Sequence, residues 1–147
     1  NVERQKPNFK QYALDMKREG VRANFVKSAV QLSQNLNADS IVVISSSGKT
    51  ARALGSFRGK KRIFAQSVNA QTTRQLALTY GVEATTIEHS ESTDKLVKTA
   101  IDSLVDLKKL NCTDKVIILG GTPDKEDALC NLIEFNEVQT IADNCKL

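Results

Sequence analysis

Residues 41–50 read Ile41-Val42-Val43-Ile44-Ser45-Ser46-Ser47-Gly48-Lys49-Thr50, and the fold follows from how that stretch divides. Four consecutive β-branched residues run into three serines, a glycine, a lysine and a threonine. An unbroken apolar run of this kind fits a strand buried on both faces rather than one alternating between core and water. The polar half then turns into a helix that continues Ala51-Arg52-Ala53-Leu54. A strand that opens a helix through Ser and Gly leaves backbone N–H groups without intrahelical partners. The helix dipole adds to them, so the turn favours an anion, most often a phosphate.

Upstream, Asn24 to Asn37 carries a 3.6-residue stripe of Phe25, Val26, Ala29, Val30, Leu32 and Leu36 and reads as a helix. Asn8 to Glu19 is expected as a separate short helix stopped by Gly20, and residues 1–7 as a tail, so that 1–23 forms a linker with an N-terminal helix. Downstream, a helix from about Gly48 to Phe57 precedes the basic turn Arg58-Gly59-Lys60-Lys61 and a second strand, Arg62 to Ser67. Asn69 is a fitting N-cap for a helix ending at Tyr80, with Gly81 just beyond it. On that helix Thr73, Leu76, Ala77 and Tyr80 share a face. Val82 to Glu88 is a third strand, Ser92 to about Leu110 the longest helix, and Lys115 to Gly120 a fourth strand. Ala128 to Val138 alternates like an edge strand, and residues 139–147 read as a polar tail.

Helices separate the first four strands, which argues for parallel pairing with helices on both faces. No helix separates the fourth strand from the fifth, so that pair is expected to be antiparallel. The expected fold is therefore α/β, a five-stranded mixed sheet with four parallel strands and the last antiparallel, over residues 24–138.

The composition narrows the function. The 147 residues are enough for one domain with one core. Twenty-one basic and 17 acidic residues give a charge of +4 with the signs interspersed, unlike the concentrated basic face of a nucleic-acid binder. Aromatic residues are scarce and Trp is absent, so no base-stacking platform stands out. No run approaches the ~20 apolar residues of a membrane span. Cys112, Cys130 and Cys145 are odd in number and irregular in spacing. They fit neither a disulfide framework nor a zinc pattern and read as reduced thiols in a cytoplasmic protein. A start at Asn1 rather than Met is expected of a chain trimmed or cut from a longer one.

Gly48-Lys49-Thr50 matches the end of a P-loop. The full motif needs a glycine five positions earlier, where Val43 stands, and an Asp on another strand, where the fourth strand runs into Gly120-Gly121. Nucleotide hydrolysis is disfavoured on that ground. A simpler phosphate cradle survives, with hydroxyls, backbone N–H groups and Lys49 as a point charge. The plainer alternative is a strand-to-helix turn with a serine N-cap, and the residues alone leave the two even. Gly120-Gly121-Thr122-Pro123-Asp124-Lys125 follows a parallel strand and so belongs to the same edge of the sheet. His89, between Glu88 and Glu91, reads as a surface residue. No catalytic residues and no metal ligands can be assembled from spacing.

Taken together, IVVISSSGKTARALGSF (41–57), RIFAQS (62–67) and TTRQLALTYGVEA (72–84) closely resemble the C-terminal domain of pyruvate kinases, as does the preceding VKSAVQLSQNLNADSIVV (26–43). That resemblance implies a three-layer α/β/α fold. It implies a parent enzyme that transfers a phosphoryl group from phosphoenolpyruvate to ADP in glycolysis, in a separate β/α barrel with Mg2+ and K+. It makes this chain a non-catalytic regulatory and assembly domain, needing no cofactor itself. Its partners would be the barrel, further copies of itself in a homo-oligomer, and a sugar phosphate or phosphate effector. The effector phosphate would sit on Ser45, Ser46, Ser47, Gly48, Lys49 and Thr50, with Gly121, Thr122 and Lys125 in an effector loop. The family's loop is rich in Gly, Ser and Thr, whereas Asp124, Glu126 and Asp127 here would repel a second phosphate. A stand-alone phosphometabolite-binding module of the same fold is the second reading. An independent small enzyme is the third and weakest, because no acid–base or nucleophile set is present.

Overall fold

The computed structural model describes residues 9–57, 61–121 and 130–145. The element order is α1 (Phe9–Asn35), β1 (Ser40–Ile44), α2 (Lys49–Ser56), β2 (Arg62–Ser67), α3 (Ala70–Leu76), β3 (Val82–Thr86), α4 (Thr93–Asp106), β4 (Lys115–Gly121), β5 (Cys130–Glu137) and α5 (Val138–Ile141), closed by a 3-10 turn at Asp143–Cys145. The sheet order is β3-β2-β1-β4-β5. β1 pairs in parallel with β2 on one side and β4 on the other, β2 with β3 in parallel, and β4 with β5 antiparallel. The expected α/β class and the single antiparallel pair are both observed.

Alternate residues of each strand face opposite sides of the sheet. Ile41, Val43, Ile63, Ala65, Ile117 and Leu119 face α1, α2 and α3, where Val26, Ala29, Ala51, Leu54 and Leu76 complete one core. Val42, Phe64, Val116 and Ile118 face α4 and α5, against Val97, Ile101, Leu104 and Val138. β1 and β4 are thus covered on both faces, as their unbroken apolar sequences require.

Local chemistry sets most boundaries. The Asn69 side chain accepts from the Gln71 and Thr72 N–H groups, so the expected N-cap is made, and Ser92 caps α4 in the same way by accepting from the Lys95 N–H. α1 ends where Asn37 turns to φ 52° and the Ala38 N–H reaches back to the Ser33 carbonyl at 2.9 Å.

Four expectations are corrected. Gly20 does not stop a helix: α1 runs through it to Asn35, with the Asn24 side chain donating to the Gly20 carbonyl and Arg22 paired to Glu19. A mid-helix glycine costs only about 1 kcal/mol relative to alanine, which is insufficient to end a helix unless φ turns positive. α3 ends at Leu76, one turn early. Tyr80 is therefore 83% exposed instead of sharing a buried face, and Gly81 takes φ 77° just before β3.

The polar tail is docked. Val138 and Ala142 are buried, the Asn144 N–H donates to Asp102, and Lys98 pairs with Asp143 at 2.6 Å. Cys112 and Cys145 are not reduced thiols but a disulfide across 33 residues, with Cα atoms 5.7 Å apart. Spacing in the chain did not reveal the pair because its proximity arises only when the docked C-terminal segment meets the turn after α4. Cys130 lies on β5.

Candidate functional site

The sheet order gives the carboxyl edge its shape. From β1 the chain moves to β2 and then β3 on one side, with α2 and α3 on one face. α4 then crosses the other face, and the chain returns to β4 on the far side of β1. Between the ends of β1 and β4 the direction of winding reverses. Outside such a switch point the two flanking connections diverge, and the crevice left between them is where open α/β sheets bind ligands.

The Ser45–Thr50 turn leaves β1 at that crevice. The Ser45 N–H is tied to the Gln66 carbonyl of β2 at 3.0 Å, and the Ser45 Oγ accepts the Gly48 N–H at 2.9 Å. Gly48 takes φ 81° and is the N-cap of α2, so no side chain caps the helix. The usual Ser, Thr, Asn or Asp cap would have occupied one of the free donors. The N–H groups of Ser46, Ser47, Thr50 and Ala51 donate to no described residue. The Ser47 Oγ accepts the Lys49 N–H only at 3.4 Å. An anion at this point would meet a cluster of free backbone donors at the positive end of a helix.

The six turn residues divide by exposure. Ser47 and Lys49 are exposed, Ser45 and Ser46 half-buried, and Gly48 and Thr50 buried. The most exposed part of the turn is Ser47 and Lys49, with Ser45 and Ser46 beside them. Two residues not anticipated from the sequence hold the turn in shape. Thr72 of α3 donates its hydroxyl to the Ser46 carbonyl at 2.7 Å, and Arg52 donates to the Ser47 carbonyl at 3.1 Å. Arg52 also places a second cation beside Lys49. It lies one helical turn after Gly48, a position that an i, i+4 reading of the opening stretch would have identified.

At the other wall of the crevice, β4 ends at Gly120-Gly121, where a register shift interrupts its ladder with β5. A Cβ at Gly120 would lie 3.9 Å from Ile44 and Leu132, an ordinary contact, so close packing does not explain that glycine. Thr122 and Lys125, together with Asp124, Glu126 and Asp127, lie outside the described residues.

Other candidates do not join this site. His89 is exposed, as are Glu88 and Glu91. Among the described residues no group of three His, Cys, Asp or Glu side chains could hold a metal. A groove on the α4 side, lined by Thr85, Thr99, Asp102, Ser103 and Asp106, faces away from the Ser turn, and its two aspartates are engaged by Asn144. Among the described residues no helix is long and apolar enough to cross a membrane.

Comparison with known proteins places this geometry in context. The family model described as "Pyruvate kinase, alpha/beta domain" matches residues 24–134. Over 111 residues the chain is 32% identical to a pyruvate kinase of Staphylococcus saprophyticus, covering 76% of this chain and 19% of that protein. A pyruvate kinase of Staphylococcus epidermidis is 31% identical over the same length, with the same shares. The chain therefore spans about a fifth of the length of these relatives. Among solved structures, Cryptosporidium parvum pyruvate kinase in complex with ADP superposes with a TM-score of 0.70 at 22% identity, covering 80% of this chain and 24% of that one. A second structure of a pyruvate kinase from the same organism gives 0.68 at 21% identity, covering 80% and 23%.

Proposed function

Because the chain belongs to the pyruvate kinase alpha/beta domain family, we propose that it is a regulatory and assembly domain whose switch-point crevice binds a phosphate-bearing effector. The observation that carries this reading is the N-terminus of α2. Its N-cap is a glycine without a side chain, and its first-turn N–H groups open onto the crevice between β1 and β4. Ser45, Ser46 and Ser47 supply hydroxyls, Gly48 the turn, and Lys49 an exposed charge that need not be desolvated until the ligand arrives. Thr50 supplies its backbone N–H. Gly121 ends β4 on the other side of the crevice, and Thr122 and Lys125, the other residues expected in an effector loop, lie outside the described residues. The carboxylates at 124, 126 and 127 favour a single phosphate over two.

On this reading the chain performs no chemistry of its own. Transfer of a phosphoryl group from phosphoenolpyruvate to ADP, with its Mg2+ and K+, is assigned to a catalytic barrel that these 147 residues do not contain. Effector binding would act on that barrel through contacts between the domains. Self-association is assigned to the helices and to β5, which is the outermost strand on its side of the sheet and keeps one edge unpaired within the sheet. A cytoplasmic location goes with this reading.

Calorimetric titration of the 147-residue chain with inorganic phosphate, glucose 6-phosphate and fructose 1,6-bisphosphate tests the pocket. Binding that weakens about tenfold in Lys49→Ala supports it. Absence of heat with all three ligands refutes it. Sedimentation at high concentration tests assembly, and a persistent monomer refutes self-association by this chain.

A further inference from the structure

Charge burial on α1 adds a residue to this crevice. Arg22, Val26, Ala29 and Ser33 form the buried stripe of α1 that faces the sheet, at 9%, 0%, 0% and 1% exposure. Three of the four suit that place. The fourth is a guanidinium, which is costly to withdraw from water without full pairing. Among the described residues its one partner is Glu19, 2.7 Å from Nη1, and the Glu19 side chain is itself 62% exposed. Arg22 Nε is buried and donates to nothing.

The height of Arg22 above the sheet follows from the topology. α1 enters β1 through a short turn and so runs antiparallel to it, and the Ala38 N–H ties the start of that turn to the Ser33 carbonyl. From Ser33 back to Arg22 the helix climbs about 16 Å. From Ala38 forward, the strand side climbs about the same distance by Val43. Helical side chains lean toward the N-terminus, which puts the side chain of Arg22 at about the level of the carboxyl end of β1. α1 packs on α2, β4 and β5. The remaining buried, unpartnered side-chain atoms among the described residues are the amide N and O of Gln66, which lies beside Ile44 in the sheet. Gln66 alternates with Ala65, so its amide lies on the α4 face of the sheet, and among the described residues Arg22 Nε is the buried unpartnered atom on the α1 side.

We propose that Arg22 is a ligand-binding residue of the crevice, its guanidinium reaching from α1 to take oxygens of the phosphate seated on the N-terminus of α2. This rests on the phosphate reading of the Ser45–Thr50 turn and extends it. The planar fork of arginine matches two phosphate oxygens at once, which a lysine cannot do. A bound dianion would also supply the counter-charge that Glu19 only partly provides.

The test compares the wild-type chain with Arg22→Met and Arg22→Lys, by calorimetry with inorganic phosphate and glucose 6-phosphate and by thermal unfolding without ligand. Charge-assisted hydrogen bonds of this kind correspond to a ten- to hundredfold loss of affinity in Arg22→Met, with Arg22→Lys in between. The unliganded midpoint of Arg22→Met is expected to stay level or rise, because an under-paired buried charge has been replaced by an apolar side chain of similar reach. Phosphate affinity within twofold of wild type in Arg22→Met overturns the assignment and leaves the Ser turn standing. A fall of several degrees in its unliganded midpoint together with lost binding also overturns it, by making Arg22 a structural residue. A wild-type chain silent to both probes overturns the assignment and the phosphate reading together.

Discussion

Replacing Gly48 by alanine isolates the feature on which the crevice depends. The residue sits at φ 81°, ψ 0°. An L-residue in that region costs about 1–2 kcal/mol. A Cβ there would also lie 3.1 Å from Thr72 Cγ2, 3.2 Å from Leu76 Cδ2 and 3.3 Å from Arg52 Nη1. Arg52 can swing aside. Thr72 is held by its hydrogen bond to the Ser46 carbonyl, and Leu76 is 1% exposed, so neither yields freely. Crowding of this kind adds about 1–2 kcal/mol, for a total near 2–4 kcal/mol. In a chain of this size that lowers the thermal midpoint by roughly 5–12 °C. Gly81 provides the control. It has φ 77° but nothing lies within 4 Å of the place its Cβ would take, so Gly81→Ala should incur the backbone cost alone. Urea unfolding of both variants with equal m-values gives the difference directly. If the two substitutions cost the same within about 0.5 kcal/mol, α3 does not press on the turn and the packing argument fails.

Other expectations follow from the same geometry. Asn69→Ala removes the cap of α3 and should cost about 1 kcal/mol by urea unfolding, and a neutral result would mean that the two N–H groups find water at no loss. The Glu83 carboxyl is held below its ordinary value of 4.5, first by the hydrogen bond from Arg62 and next by the one from Lys109, against a partial desolvation that raises it. Because the folded-state value is depressed, the stabilisation is complete above the unfolded value and is lost as pH falls through the folded one. Glu83 is about half exposed, so screening limits its worth to under about 1 kcal/mol. An NMR titration should show the Glu83 midpoint rising toward 4.5 in Arg62→Gln; an unmoved midpoint contradicts the assignment. Cys145→Ser opens a loop of 33 residues, for which chain entropy alone suggests a loss of about 3–4 kcal/mol. The wild-type chain should lose a similar amount in reductant, and equal stability with and without reductant would show that Cys112 and Cys145 are not joined.

Much of this was legible along the chain because it is local. The β-branched run at 41–44 needs burial on both faces wherever it sits, and β1 is buried on both. Asn69 and Ser92 cap helices because their side chains reach N–H groups two or three residues away. The lack of a helix between β4 and β5 dictates an antiparallel pair at any position in a sheet. Where local signals failed, a contact distant in sequence had outweighed them. Gly20 lowers helix propensity, but the stripe at Val26, Ala29 and Ser33 buries α1 regardless. The C-terminal residues are polar, yet Asp102, Asp106 and Cys112 hold them.

The candidate site divides in the same way. Residue types in the stretch Ser45–Thr50 determine that an anion is favoured there, since serines, glycine and a helix start attract one through local donors alone. They do not determine which residue caps α2, and a serine was as good a choice on paper as the glycine that takes the place. Only the tertiary structure decided that. The left-handed backbone at position 48 and the closeness of Thr72 and Leu76 together penalise a Cβ, so a glycine takes the cap and the first-turn N–H groups stay open. Only the strand order β3-β2-β1-β4-β5 set this turn at the reversal of winding. Periodicity reports which face of an element is buried. Which elements become neighbours depends on how those faces pack together, and the crevice is formed by that packing.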